Sequence, residues 1–471
     1  MTSLRRLTHN EELQRKVIKV LIIIGVPVLG FALVQYRSDT MMLAALLAVP
    51  LGLLAIALLL RWPPLGLLAV VAVALIVPFD IPRVGTVAIM LSGLTAVWLG
   101  DMFMRQRRLV FVVSPTIPPL IMFTAVVILS FIIGQLPWFY VSQVPIDLQI
   151  GGAAIFILSF AAFFMAAHQI RNIKWLKYMV FGYIVLAIPS IIFGLRILPA
   201  QTSFQLNRMI YSAKITGGSL YWLWLATFIF SQILINKKLD IRLRVLMGIV
   251  LLAQFYLAMG RNRAWTSGWF PALVSLAIIL VAYRPKLAMP LALGTLLVGA
   301  LGSQQIYDAV FIGDNEYSAI TRLEAWTIVT EIAKKNPILG LGPGNYYNYT
   351  TLYSIRGWYV QFNSHNNYVD ILAQTGILGI ICFLWFAVVA GRLAWRLRTL
   401  VPKGGFTEAY VFGALGGLVG SMAAAMLGDW VLPFVFNIGI FGLRASIIFW
   451  LVMGGLVAID QMLIKKIPID D

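Results

Sequence analysis

Charge is what this sequence has least of for its size: Asp, Glu, Lys and Arg together make up 11% of 471 residues, and histidine occurs three times. Soluble domains carry about a quarter charged residues, so an ordinary water-soluble fold is excluded. Cysteine is scarcer still. The single Cys382 has no partner for an intramolecular disulfide, and it sits in an apolar run where it reads as a small packing residue. Internal repeats are missing, and no paired ionisable residues fall midway along an apolar run. A transporter would usually need them there for its substrate or coupling ions, so their lack weighs against transport.

What is present is apolar surface, 61% of the residues being hydrophobic. Runs of about 17 to 25 residues are long enough for a helix to cross a bilayer. Such runs lie near 17–34, 41–60, 62–79, 84–103, 112–134, 148–167, 175–195, 219–235, 245–259, 264–282, 287–302, 369–391, 409–427 and 440–459. The expectation is an all-α, polytopic transmembrane helical bundle of about 14 spans, with both termini cytoplasmic and one large extracytoplasmic loop containing an amphipathic helix. Residues 1–302 form the N-terminal spans, 303–368 the loop and 369–471 the C-terminal spans.

The net charge of +18 raises the question of nucleic acid. The placement of the basic residues answers it. With a cytoplasmic N-terminus, 24 of the 36 Lys and Arg fall on the inner segments, which is the positive-inside bias of a membrane protein. Membrane lipids are therefore the implied surroundings, and nucleic acid is not a partner. The first span follows a basic stretch without a small-residue cleavage site, so it reads as an uncleaved signal anchor.

Polar chemistry gathers in Gln304–Gly376. Thr321-Arg322-Leu323-Glu324 has capping-box spacing, which predicts a helix from Thr321 to Asn336. Ile320, Leu323, Trp326, Val329 and Ile332 would form its apolar face, and Arg322 would lie in a first turn that favours anions. The turn Gly342-Pro343-Gly344 follows, then Asn345 and the aromatics Tyr346, Tyr347, Tyr349, Tyr353, Trp358 and Tyr359, suited to stacking on sugars or to an interfacial belt. His365 is the one histidine on the outer side, since His9 and His168 are cytoplasmic in this topology. With no other outer His or Cys, it has no companions for a zinc or haem site, and it suits a general base near neutral pH. Two further outer segments carry positive charge: Arg208 and Lys214 in one loop, and Arg261 and Arg263 in a short hairpin. Guanidinium forks match phosphate oxygens; snorkelling to lipid headgroups explains the hairpin pair equally well.

Several of these motifs, in this order, resemble the shared core of the O-antigen ligase and polymerase family, which includes bacterial O-oligosaccharyltransferases. They are Arg322 with Trp326; Asn336-Pro337-Ile338-Leu339-Gly340-Leu341-Gly342; His365-Asn366-Asn367-Tyr368; and Gln374-Thr375-Gly376-Ile377-Leu378-Gly379. Arg261-Asn262-Arg263-Ala264-Trp265 resembles the family's arginine hairpin but lacks its usual preceding serine, so either arginine is a candidate, with Arg263 favoured. The resemblance implies a metal-independent glycosyltransferase of the bacterial cytoplasmic membrane, with no cofactor. It would use an undecaprenyl-pyrophosphate-linked glycan donor and a lipid A core or growing glycan as acceptor. Arg263 or Arg261 and Arg322 would grip the pyrophosphate, His365 would act on the acceptor hydroxyl, and Trp326, Asn345, Tyr346 and Asn366 would line the glycan site. Carboxylates such as Asp370 are second choices for the base. A polymerase joining repeat units is the near alternative, and a flippase for lipid-linked glycans the alternative of another class.

Overall fold

The computed structural model of the chain describes residues 52, 54–77, 81, 84–197, 218–261, 266–301 and 314–469. Among these residues the regular structure is helical, and no β-strand forms. Two compact units are distinguished, Met1–Gly66 and Leu67–Asp471. In the first, the described part is a helix, Leu54–Arg61, whose last guanidinium lies 4.7 Å over the Trp62 ring.

The longer helices run in order α1 (Pro64–Ile76), α2 (Thr86–Asp101), α3 (Ile117–Ile133), α4 (Ile146–Gln169), α5 (Ile173–Gly194), α6 (Ser219–Ile235), α7 (Ile241–Phe255), α8 (Thr266–Tyr283) and α9 (Ala288–Leu301). Then come α10 (Asp314–Ala333), the one-turn α11 (Tyr346–Tyr349), α12 (Asn367–Leu400), α13 (Phe406–Leu427) and α14 (Leu443–Ile464). Each expected span from residue 62 onward coincides with one of these helices. The expected spans 17–34 and, for most of its length, 41–60 lie outside the described residues. Among the described residues seven helices are long and apolar enough to cross a membrane, an eighth if Leu54–Arg61 and Pro64–Ile76 count as one broken span, and three more are apolar but shorter. The protein is therefore an all-helical, multi-pass membrane protein.

Two helices show why the interior closes. In α14 nearly every side chain is buried, and it packs along α4. The glycines of α13 allow close approach: a Cβ on Gly417 would lie 2.3 Å from the Trp224 ring of α6, and one on Gly416 would lie 2.6 Å from the Ser275 carbonyl of α8. Small residues at helix contacts let backbones come near enough for dispersion to hold them without water to drive association. Conversely, α7 leaves Val245, Ile249 and Leu252 exposed, as a lipid-facing surface requires.

The helix of the large polar interval differs from its expected form. It begins at Asp314 rather than at Thr321, so Thr321-Arg322-Leu323-Glu324 is not a cap and Arg322 does not stand in a first turn. Glu324 instead accepts the Arg356 amide at 3.2 Å. The buried face is also rotated: Ala325, Ile328, Val329, Ile332 and Ala333 are buried, whereas Leu323 is 55% exposed. Those side chains join Leu341, Tyr346, Tyr349, Ile355, Ala373 and Phe434 in a core of their own under the polar segments.

Candidate active site

The framework of the site is built by glycine. An unbroken α12 would bond the Ile377 amide to the Ala373 carbonyl and the Leu378 amide to that of Gln374, four residues back in each case. At Gly376 the backbone turns left-handed, with φ 67°, and both bonds are lost. The segment Pro337–Gly342 takes them over: Leu341 and Gly342 donate to the Ala373 and Gln374 carbonyls at 2.9 and 3.1 Å, and Ile377 and Leu378 donate to those of Pro337 and Ile338 at 2.8 and 3.3 Å. A Cβ on Gly376 would lie 2.2 Å from the Ile338 oxygen, and one on Gly340 would lie 2.5 Å from the Gln374 carbonyl carbon. The two glycine motifs are thus the two halves of one joint.

Asn345 and Tyr346, expected to contact substrate, serve the interior instead. Asn345 is fully buried; its amide donates to the Gly134 and Leu341 carbonyls at 3.0 and 2.8 Å, and its oxygen accepts the Val144 amide at 3.2 Å. It fastens the glycine turn to the end of α3. Tyr346 is also fully buried, stacked on Phe434 with centroids 4.7 Å apart, and its hydroxyl donates to Asp370 Oδ1 at 2.5 Å. Burial first, and the Asp370 carboxyl second, push the phenol well above its usual range, so it remains a donor. Of the other loop aromatics, Tyr349 is core, whereas Trp358 and Tyr359 are each 69% exposed.

Arg322, Trp326 and His365 come together. Arg322 and Trp326 are one turn apart on α10, hence on one side of it. The Trp326 indole donates to the Ser364 carbonyl at 2.8 Å, which joins α10 to the residue before His365. The Arg322 guanidinium makes a long contact, 3.5 Å, with the Leu427 carbonyl at the end of α13. It is half-buried, and burial draws it below the ordinary arginine range; arginine nevertheless stays cationic near neutral pH. Burial first, and Arg322 second, lower the pKa of His365 from its ordinary 6.5. Both causes favour the neutral imidazole, the form a base must have. Its backbone is left-handed, with φ 50°, a conformation uncommon outside glycine that surrounding structure must impose.

Asn366 caps α12: its side-chain oxygen accepts the Tyr368 and Val369 amides at 2.9 and 3.5 Å. It is buried, so its place is beneath the histidine turn. Arg263 lies outside the described residues, as do Arg208 and Lys214; Arg261 ends a widened helical turn, Tyr256–Arg261, and its side chain is not described.

Sequence reasoning assigned nothing to residues 428–437, which form a further wall. Asn367 holds this segment, accepting the Val431 and Leu432 amides at 2.9 and 3.3 Å and donating to the Leu432 carbonyl at 2.6 Å. Asp429 closes it by accepting the Phe434 amide at 2.7 Å and the Asn437 side-chain amide at 2.6 Å. The available signal was a buried-looking Asp and Asn, with Pro433, between two apolar runs.

The structure thus places a half-buried arginine and a histidine whose pKa is lowered near one another, both outside the apolar spans. In a comparison with protein families, residues 209–384 match the model of the O-antigen ligase family. Over these residues, somewhat over a third of the chain, the sequence is similar to that family's domain. No match is found among curated proteins.

Proposed function

We propose that the protein is a glycosyltransferase that moves a glycan from undecaprenyl pyrophosphate to a hydroxyl of a lipid A core, at the outer face of the bacterial cytoplasmic membrane, in surface-polysaccharide biosynthesis. The anomeric carbon–oxygen bond to pyrophosphate breaks, and a bond to the acceptor oxygen forms. His365 takes the acceptor proton, and undecaprenyl pyrophosphate leaves as the anion. Arg322, with Arg263 or Arg261, supplies positive charge to that leaving group, so that side chains rather than a metal carry the stabilisation. Fixed cations in a water-poor site stabilise developing charge strongly.

The observation that carries the reading is the pairing of Arg322 with His365. The same cation that would hold the leaving group helps keep the imidazole unprotonated. Trp326 serves as the strut between them through Ser364. The about 14 spans expected from the length rule, with both termini cytoplasmic, would set this pair on the outer face.

The test is transfer by purified protein from a polyprenyl-pyrophosphate glycan, with excess chelator and with lipid A core and repeat units offered as separate acceptors. Turnover that persists with chelator and is lost in His365→Ala supports the reading. Consumption of repeat units instead of lipid A core would make the enzyme a polymerase, and wild-type turnover in His365→Ala would remove the histidine from the mechanism.

A further inference from the structure

The residues on either side of His365 are anchored, and the anchor converges on one carboxyl group. Asp370 is 1% exposed, and its Oδ1 accepts from the Tyr346 hydroxyl at 2.5 Å and from the Ser364 hydroxyl at 2.6 Å, the one Ser364 proton being shared with the Asn366 carbonyl at 2.9 Å. Ser364 in turn accepts the Asn366 amide on its Oγ at 3.0 Å, and its own amide donates to the Tyr346 oxygen at 3.4 Å. The Ser364 carbonyl is occupied by Trp326. The polar groups of Ser364 are thereby committed inside the protein, so the chain has no freedom just before the histidine. Immediately after it, Asn366 is fixed as the cap of α12. His365 itself is left-handed without being glycine. Such a conformation is strained and survives only where its surroundings over-determine it.

We propose that Asp370 is a positioning residue: through Ser364 and Tyr346 its carboxyl oxygen holds the left-handed turn that aims the His365 imidazole at the acceptor hydroxyl. This rests on His365 being the base, as in the function proposed above. It assigns Asp370 no proton transfer. Burial of Tyr346, Ser364 and Asp370 together, with no exposed atom needed, fits support from behind and not contact with substrate. The demand falls on Oδ1. Asp370 Oδ2 is buried with no hydrogen-bond partner among the described residues, so an amide nitrogen could replace it while Oδ1 kept both of its donors.

The experiment uses the full-length protein in lipid nanodiscs, with transfer from a polyprenyl-pyrophosphate glycan measured as kcat and as KM for donor. Ser364→Ala and Tyr346→Phe each remove one donor to Asp370. Each is expected to lower kcat about 10- to 100-fold, as misplacement of a catalytic group does, with donor KM within about twofold because Arg322 is untouched. Asp370→Asn, which keeps an acceptor oxygen, is expected to retain at least about tenfold more turnover than Asp370→Ala. His365→Ala is the reference. If it is inactive while Ser364→Ala and Tyr346→Phe turn over like wild type, the positioning role is wrong and the base assignment stands. If His365→Ala itself turns over normally, the proposed base is wrong. A rise in KM without a fall in kcat in Ser364→Ala, or equal turnover for Asp370→Asn and Asp370→Ala, would also overturn the positioning role. The Ser364 and Tyr346 variants keep the inference testable should Asp370→Ala fail to fold.

Discussion

Gly340 and Gly376 stand backbone to backbone: a Cβ added to Gly340 would lie 2.6 Å from the Gly376 nitrogen. Both residues have positive φ, 69° and 67°. Gly376→Ala therefore meets two penalties, a left-handed alanine at about 1–2 kcal/mol and overpacking at about 1–3 kcal/mol. The expected loss is about 2–5 kcal/mol by those two contributions, read as a marked fall in the thermal unfolding midpoint in detergent. A midpoint unchanged from wild type would mean the joint is not built as described.

The acid limb of activity follows from His365. Its folded pKa lies below the ordinary 6.5, by burial first and by Arg322 second, and only the neutral form accepts a proton. With His365 as the proposed base, the acid inflection of kcat/KM is expected below 6.5. Arg322→Gln should move that inflection upward while leaving it under the influence of burial. The stability linked to this group has the same sense: the unfolded chain takes up its proton first, so stability is present above 6.5 and is lost as pH falls toward the folded value. An inflection above 6.5 in the wild type would contradict this.

Arg322→Lys keeps a charge but loses the planar fork. Turnover is expected to fall about 10-fold or more, and in Arg322→Ala about 100-fold or more, the scale seen when one transition-state donor is removed. Thermal stability should change little, because the long Leu427 contact is the single protein hydrogen bond described for this side chain. Equal rates for lysine and arginine would argue against a forked grip on phosphate.

Asn367→Ala should free the wall at 428–437. Three hydrogen bonds from one buried side chain are lost, with the buried Val431 and Leu432 groups left unpaired, a change of about 2–4 kcal/mol at about 1 kcal/mol per bond plus the cost of unpaired groups. Hydrogen exchange is the measurement. Faster exchange at Val431 and Leu432, with the α4 and α14 amides unchanged, is expected, whereas uniform protection would show that the wall is held by other means.

The helices were legible because apolar length alone marks them. Each run from residue 62 onward became a helix, and the punctuation at Asn336-Pro337 fell near a real boundary. The ordered motifs grouped Arg322, Trp326 and His365, and the structure places these three near one another. Capping-box spacing misled because Thr321 and Glu324 can satisfy each other only if the helix begins there, and Asp314–Tyr317 already extend it backward. Asn345 and Tyr346 misled for another reason: a polar residue beside a turn looks available to a ligand until its partners, here Gly134, Val144 and Asp370, arrive from distant parts of the chain. The same holds for Asn367 and Asp429, whose partners lie in the last inter-helix segment.

The exchange of bonds at Gly376 also bears on how the protein is made. The two carbonyls of the first half of α12 and the two amides of its second half find partners only in Pro337–Gly342, a segment synthesised earlier. Until ribosomal synthesis passes Leu378, that earlier segment lacks its folded-state partners. Completion of the candidate site is thus a late event in biogenesis, reached when α12 docks. A chain truncated before Ile377 would insert its earlier helices yet have no finished place for His365.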